Sequence, residues 1–167
     1  YKVTDKRSGD LFTLKLFQYL SSDDIYEKFS AEDMHHITKI EHPNLAHVVD
    51  FGHVGDHIYS LSEYYNGKPL SAYKYKKTQL GLLYDILVQI VYALDALHKQ
   101  DILHKDLKPE NVLYNIENNK IEVKVIYFGF SKKETSNINK FVTGSLTYLA
   151  PEIFTKGSHC EKCGKML

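Results

Sequence analysis

The chain has no surplus of charge. Its 21 Lys and Arg balance 21 Asp and Glu, so the formal charge is 0 with His neutral. That excludes a nucleic-acid binder working through bulk basic charge, and leaves only a local patch for such a role. There is no Trp, and there are only two Cys, Cys160 and Cys163, both near the C-terminus. A disulfide framework needs more cysteines spread along the chain, so a reducing compartment, cytoplasmic or nuclear, is expected. No unbroken apolar run reaches the roughly 18–20 residues that cross a bilayer, so no transmembrane helix and no membrane partner are expected. Charges at Lys2, Asp5, Lys6, Arg7, Asp10 and Lys15 leave no signal-peptide core in the first 20 positions. With 43% apolar residues the chain is too hydrophobic to be disordered. Its 167 residues are enough for one domain with a sizeable core.

What is present reads as strands, one long helix and turn signals. Leu11–Leu16 alternates as a strand after the turn Arg7-Ser8-Gly9-Asp10. Ser21-Ser22-Asp23-Asp24 looks like a helix start. Ile25, Phe29, Asp33, Ile37 and Ile40 follow at helical spacing up to a stop near His42-Pro43-Asn44. Leu45–Phe51 and His57–Leu61 have hairpin spacing, and Asn66-Gly67-Lys68-Pro69 marks a loop. Leu80–Lys99 carries a long helical pattern. Val112–Tyr114 and Ile121–Ile126 flank Asn118-Asn119 as a second hairpin, and 131–142 is polar and aperiodic, as in an exposed loop. The order suggests two lobes meeting near 66–68.

The chemistry concentrates in 104–114, His-Lys-Asp-Leu-Lys-Pro-Glu-Asn-Val-Leu-Tyr. One short loop between helix and strand holds an acid, Asp106, a cation, Lys108, and an amide, Asn111. The acid can accept a proton from a hydroxyl, the cation can neutralise phosphate charge, and the amide oxygen can ligate a metal. Phosphoryl transfer needs those three jobs.

This string resembles the catalytic loop of eukaryotic protein kinases, His-Arg-Asp-Leu-Lys-Pro-x-Asn, and its Lys-Pro-Glu-Asn ending resembles the serine/threonine branch. Other landmarks fall in the family's order. Phe12-Thr13-Leu14-Lys15 is similar to the third-strand Val-Ala-x-Lys, and His42-Pro43-Asn44 to the loop after the αC helix. Phe128-Gly129 stands where Asp-Phe-Gly ends, and Gly144-Ser145, Tyr148 and Ala150-Pro151-Glu152 match the end of the activation segment. The resemblance implies an α+β, protein-kinase-like fold of two lobes. It also implies the cofactors ATP and Mg²⁺ and a protein substrate or partner protein, with no nucleic acid. It further implies that Lys15 holds the α- and β-phosphates, with Asp33 as its αC partner. Asp106 would be the base, Lys108 the γ-phosphate contact and Asn111 a metal ligand. Glu63 to Tyr65 would bind adenine through the backbone, with Ser62 at the back of the pocket and Leu113 beneath the ring. Ser145 would support the catalytic loop, and Ile37, Val48, His104 and Phe128 would stack as a column linking the lobes.

By this register the chain begins after the family's glycine-rich loop and stops before the helix that anchors the catalytic loop. A truncated domain is therefore expected, with 1–65 in a β-rich N-lobe that includes αC, 66–68 as linker and 69–167 in a mainly α C-lobe.

Several positions depart from the pattern. Tyr127 replaces the metal-binding Asp, and a phenol is a poor ligand for a hard cation. Asp50-Phe51-Gly52 spells the missing motif but falls in the small lobe by register. Asp33 is one methylene shorter than the usual Glu, although Glu32 is adjacent. Lys105 replaces an Arg whose bidentate fork it cannot supply. Thr135, Ser136 and Thr143 are candidate phosphosites. His159 beside Cys160-Glu161-Lys162-Cys163 is half a zinc knuckle without its second half, which reads as two free thiols. Two functional classes follow. One is a serine/threonine kinase domain transferring the ATP γ-phosphate, and the other is a catalytically impaired pseudokinase acting as a scaffold.

Overall fold

A computed structural model of the chain describes residues 1–18, 35–54, 57–74, 80–118, 120–126 and 146–148. Two antiparallel sheets and one long helix make up most of it. The first sheet has the order β1-β2-β4-β3, from β1 (Lys2–Thr4), β2 (Leu11–Gln18), β3 (Val48–Val54) and β4 (His57–Glu63). The second has the order β5-β6-β7, from β5 (Lys68–Pro69), β6 (Val112–Glu117) and β7 (Lys120–Val125). Helix α1 (Leu80–His98) packs on β7. This is the α+β arrangement the resemblance implies.

Local chemistry explains the turns. Between β1 and β2 the Asp5 carboxylate accepts the Arg7 N–H at 2.6 Å, and Gly9 takes a left-handed φ of 81°. Glu117 pairs with Lys120, so β6 and β7 are joined through positions 118 and 119, with Asn118 at φ 50°. Asn is one of the few residues that enter this region cheaply.

The segment after His42 corrects the expected strand start at Leu45. Residues 35–37 are helical and 38–39 form a turn, and β3 begins only at Val48. Residues 44–46 are used elsewhere, lying parallel to β7. Val125 donates its N–H to Asn44 O at 2.8 Å, and Ala46 N–H returns a bond to Val125 O at 3.0 Å. The expected loop 66–69 is also shorter than anticipated. Lys68 and Pro69 pair with Tyr114 and Leu113 as an edge strand, a place where proline's missing N–H is harmless. The chain therefore passes from one sheet to the other through residues 64–67. The segments expected at 21–34 and 131–142 lie outside the described residues.

Helix α1 corrects a second expectation. Its 19 residues are long and apolar enough, by length and composition alone, to cross a membrane, because Asp85 and Asp95 are its only acidic or basic residues apart from His98. One of its faces is buried in the described residues. Ile86, Ala93 and Leu97 are buried among Ile37, Leu45, Val112, Val123 and Val125, while Leu80, Tyr84, Leu87 and Val91 line an exposed face. Burying aliphatic side chains such as these contributes about 1.5–3 kcal/mol each.

The helix ends in a paired cap that aims the following loop. Ile102 N–H bonds Leu97 O at 3.0 Å and Asp101 N–H bonds His98 O at 3.0 Å, with Asp101 left-handed at φ 56°. This is the Schellman pattern, in which the residue after the turn drops its side chain onto the last helical turn. Ile102 does so and is buried. Asp is not the best residue here, because glycine adopts this φ without steric cost and an acid opposes the negative end of the helix dipole. Asp101→Gly is expected to raise stability by about 0.5–1 kcal/mol and Asp101→Val to lower it, as read by chemical denaturation. Equal stability of the three proteins would show that the cap is not limiting.

Candidate active site

Immediately after Ile102 the chain enters the segment singled out in the sequence. His104 is buried and ties the loop to the end of β7. Its Nδ1 accepts the Asp106 N–H at 3.3 Å, so its Nε2 is the protonated nitrogen and donates to Ile126 O at 3.1 Å. Asn111 closes the other side. Its own N–H bonds Lys108 O at 2.9 Å, and its carbonyl receives the Ile126 N–H at 2.9 Å. Lys105, between His104 and Asp106, is left-handed at φ 61°, and across this turn the Asp106 N–H meets the His104 ring.

The side chains converge on Asp106. Asn111 Nδ2 donates to the Asp106 backbone oxygen at 2.7 Å and to its Oδ2 at 2.9 Å. Lys108 Nζ lies 3.0 Å from the same Oδ2, with both side chains about a quarter exposed. The carboxylate is thus fixed by a charge-assisted contact and an amide. Because Asn111 spends its Nδ2 on Asp106, its Oδ1 is turned away from the acid, and an amide oxygen is the kind of donor a hard cation takes.

Lys15, on the other sheet, lies within electrostatic range of this cluster. It sits on β2 opposite Ser60 and is half-buried. Burial holds its ammonium below the ordinary Lys value. The charge of Asp106 pushes back up and that of Lys108 pushes further down, so Lys15 senses both loop residues. Two cations and one carboxylate give the group a net charge of about +1, which suits a polyanion such as a polyphosphate.

The remaining expected positions distribute as follows. Ser62 lies on β4 between Thr13 and Val48. Glu63 ends β4, its N–H bonded to His47 O at 2.9 Å, and the Tyr64 N–H is bonded to Leu11 O at 3.2 Å. Leu113 is half-buried on β6 between Pro69 and Lys124. Ile37 and Val48 are buried in one core cluster and His104 is buried nearby. Asp50-Phe51-Gly52 lies on β3 in the first sheet, and Asp50 accepts the Tyr59 hydroxyl at 2.8 Å. Asp33, Glu32, Tyr127, Phe128, Ser145, the candidate phosphosites, Ala150-Pro151-Glu152 and the pair Cys160 and Cys163 lie outside the described residues.

Sequence reasoning missed the side chains that fasten the second sheet. Gln89 on α1 accepts the Val123 N–H at 2.9 Å and donates to Ile121 O at 3.0 Å, while Asn44 Nδ2 bonds both Gln89 Oε1 and Val123 O. The only available signal was a polar residue inside an apolar helical pattern. Lys124 pairs with Glu63 at 2.7 Å, with no local cue at all.

A model of the family described as protein kinase domain matches residues 1–164. The chain is 30% identical over 165 residues to calcium-dependent protein kinase 5 of Plasmodium berghei (strain Anka), which covers 97% of this chain and 29% of that protein. It is 29% identical over 127 residues to calcium/calmodulin-dependent protein kinase type 1 of Macrobrachium nipponense, covering 72% of this chain and 35% of that protein. It is 36% identical over 124 residues to an Aurora kinase of Saccharomyces cerevisiae, covering 70% of this chain and 32% of that protein. The chain spans less than a third of the length of the first of these relatives.

The geometry of His104 carries a pH dependence. Burial is the largest influence and holds its imidazole below the ordinary His value, against the opposing pull of Ile126 O and Asp106. In the unfolded chain the ring titrates near 6.5. Between that value and the lower folded one, the unfolded chain binds a proton that the folded chain does not. Its stabilising contribution is therefore complete above about pH 6.5 and falls on acidification, by at most about 1.4 kcal/mol per pH unit. His42 shifts in the same direction and adds to the loss. Denaturation of His104→Leu between about pH 7.5 and 5.5 should show a shallower loss of stability than wild type. An unchanged slope would assign the effect to other groups.

Proposed function

The chain belongs to the protein kinase family, and on that premise we propose that it supplies the central part of a site transferring the ATP γ-phosphate to a protein serine or threonine hydroxyl. The family uses ATP and Mg²⁺ and acts on protein substrates. The observation that supports the reading most is the convergence of Lys15 from the first sheet with Lys108, Asp106 and Asn111 from the loop before β6. The first sheet belongs to the N-lobe, the second sheet and α1 to the C-lobe, and the nucleotide lies against the segment that joins them.

In this reading Lys15 and Lys108 neutralise phosphate oxygens. Asp106 accepts the proton of the substrate hydroxyl as that oxygen bonds to the γ-phosphorus and the bond to the ADP oxygen breaks. Asn111 holds Asp106 in place through Nδ2 and offers Oδ1 to the metal. Mg²⁺, when bound, supplies charge neutralisation and alignment of the phosphates. Tyr65 N–H and its neighbours on the linker meet the adenine edge, and Leu113 lies beneath the ring. The Lys-Pro-Glu-Asn ending of the loop is the basis for serine/threonine rather than tyrosine as acceptor.

Tyr127 favours a second reading, a nucleotide-binding pseudokinase that acts as a scaffold. A neutral phenol in place of a metal-binding carboxylate removes part of the Mg²⁺ site while leaving both lysines. A phosphotransfer assay of the protein carrying this chain separates the two. Under the first reading transfer is Mg²⁺-dependent with Tyr127 in place, and Asp106→Asn lowers it by about 10²–10⁴-fold. Under the second, ATP raises the melting temperature without Mg²⁺, transfer is absent, and Tyr127→Asp introduces it. Absence of both transfer and stabilisation by ATP would falsify the two together.

A further inference from the structure

Four side chains that this site does not need for its chemistry bridge the two sheets beside residues 64–67. Glu63 Oε1 lies 2.7 Å from Lys124 Nζ, which also donates to Leu45 O at 3.4 Å. Two residues further along the linker, the Tyr65 hydroxyl donates to Glu122, shared between its backbone oxygen and Oε2 at 3.3 Å each. Glu63 and Tyr65 are two apart, and so are Lys124 and Glu122, in the opposite chain direction. The linker therefore runs antiparallel to β7 and is joined to it by two side-chain rungs on one face.

The surroundings favour both rungs. The Lys124 side chain is 15% exposed and that of Glu63 39%, so the pair is partly shielded from salt. The Tyr65 phenol is held well above its ordinary value, first by burial and then by the Glu122 charge, so it stays a neutral donor. Gly67 makes room for the Tyr65 ring. A Cβ there would stand 2.5 Å from Tyr65 Cε1 and 3.0 Å from the Tyr114 backbone oxygen, which cannot yield.

We propose that Lys124 and Glu122 are positioning residues for the nucleotide linker, holding the backbone of residues 63–67 against β7 through Glu63 and Tyr65. This rests on the reading of the linker as the adenine edge. The rungs fix where Tyr64 and Tyr65 present their backbone relative to Leu113, and they limit how far the two sheets part. Each rung has a side chain as its donor, so it can open without unpairing a strand.

The test uses the protein carrying this chain and two readouts. Without nucleotide, amide hydrogen exchange over 63–67 should rise roughly three- to tenfold in Lys124→Met and in Tyr65→Phe, the size expected from losing one partly buried pair. Lys124→Arg should restore wild-type exchange, and the double exchange of Glu63→Lys with Lys124→Glu should recover part of it. With ATP, Lys124→Met should raise KM or Kd by a similar factor and leave kcat unchanged. Unchanged linker exchange in both Lys124→Met and Tyr65→Phe overturns the proposal. If the wild-type protein binds no ATP, the nucleotide reading fails instead, and the exchange data alone decide whether the rungs hold the linker. Loss of kcat with KM unchanged also counts against positioning, because it would place Lys124 in the chemistry.

Discussion

Ile121, Val123 and Val125 turn their backbone polar groups away from β6, into a buried part of the molecule where water cannot serve them. Val125 uses both its N–H and its carbonyl on residues 44–46, Val123 N–H goes to Gln89, and the carbonyls of Val123 and Ile121 receive amide donors from Asn44 and Gln89. Leaving any one of these groups unpaired in the core would cost about 1–3 kcal/mol. The outer edge of β7 therefore demands partners, and the partners come from two distant stretches of sequence. Meeting that demand brings the segment after His42 and helix α1 to one strand, and the hydrophobic cluster of Leu45, Ile86, Leu97 and Val123 closes around the contact.

The loop bearing Asp106 inherits its position from the same strand. Ile126, one residue beyond β7, accepts His104 Nε2 and donates to Asn111 O, so both ends of the loop are tied to a single residue. The cap on α1 sets where the loop starts, and Ile102 anchors it to the core. Asp106 is then held from its own loop by Asn111 and Lys108, and β2 carries Lys15 within electrostatic range of it. Core packing, backbone pairing and site geometry form one chain of cause here. The Asp106 carboxylate is oriented because a buried sheet edge needed hydrogen bonds.

This explains what could be read in the sequence. The string from His104 to Asn111 was legible because the contacts that gather Asp106, Lys108 and Asn111 span at most five residues, and a local pattern can report local contacts. Helix α1 was legible from its periodicity, and both hairpins from theirs. The strand expected at Leu45 was not, because its apolar alternation is the same whether it joins β3 or lies along β7. Lys68-Pro69 read as a loop because proline and glycine punctuate the segment, yet an edge strand tolerates both. Gln89 and Lys124 were invisible for a stricter reason. Their partners are 34 and 61 residues away, and no property of a lone polar residue encodes a distance.

The two regions fastened to β7 are fastened by different means, and the difference bears on how the site can move. The loop bearing Asp106 is held by backbone groups and one buried ring, which have little rotational freedom to regain. The linker is held by Glu63, Lys124, Tyr65 and Glu122, whose side chains regain rotamer entropy on release, up to about 1.5–2 kcal/mol for Lys or Glu. A charge pair of this kind contributes little net free energy when partly exposed. Opening at the linker is therefore cheap where displacement of the loop is expensive. A two-sheet arrangement built this way can adjust the gap between its sheets while keeping Asp106, Asn111 and Lys108 in fixed relation to one another.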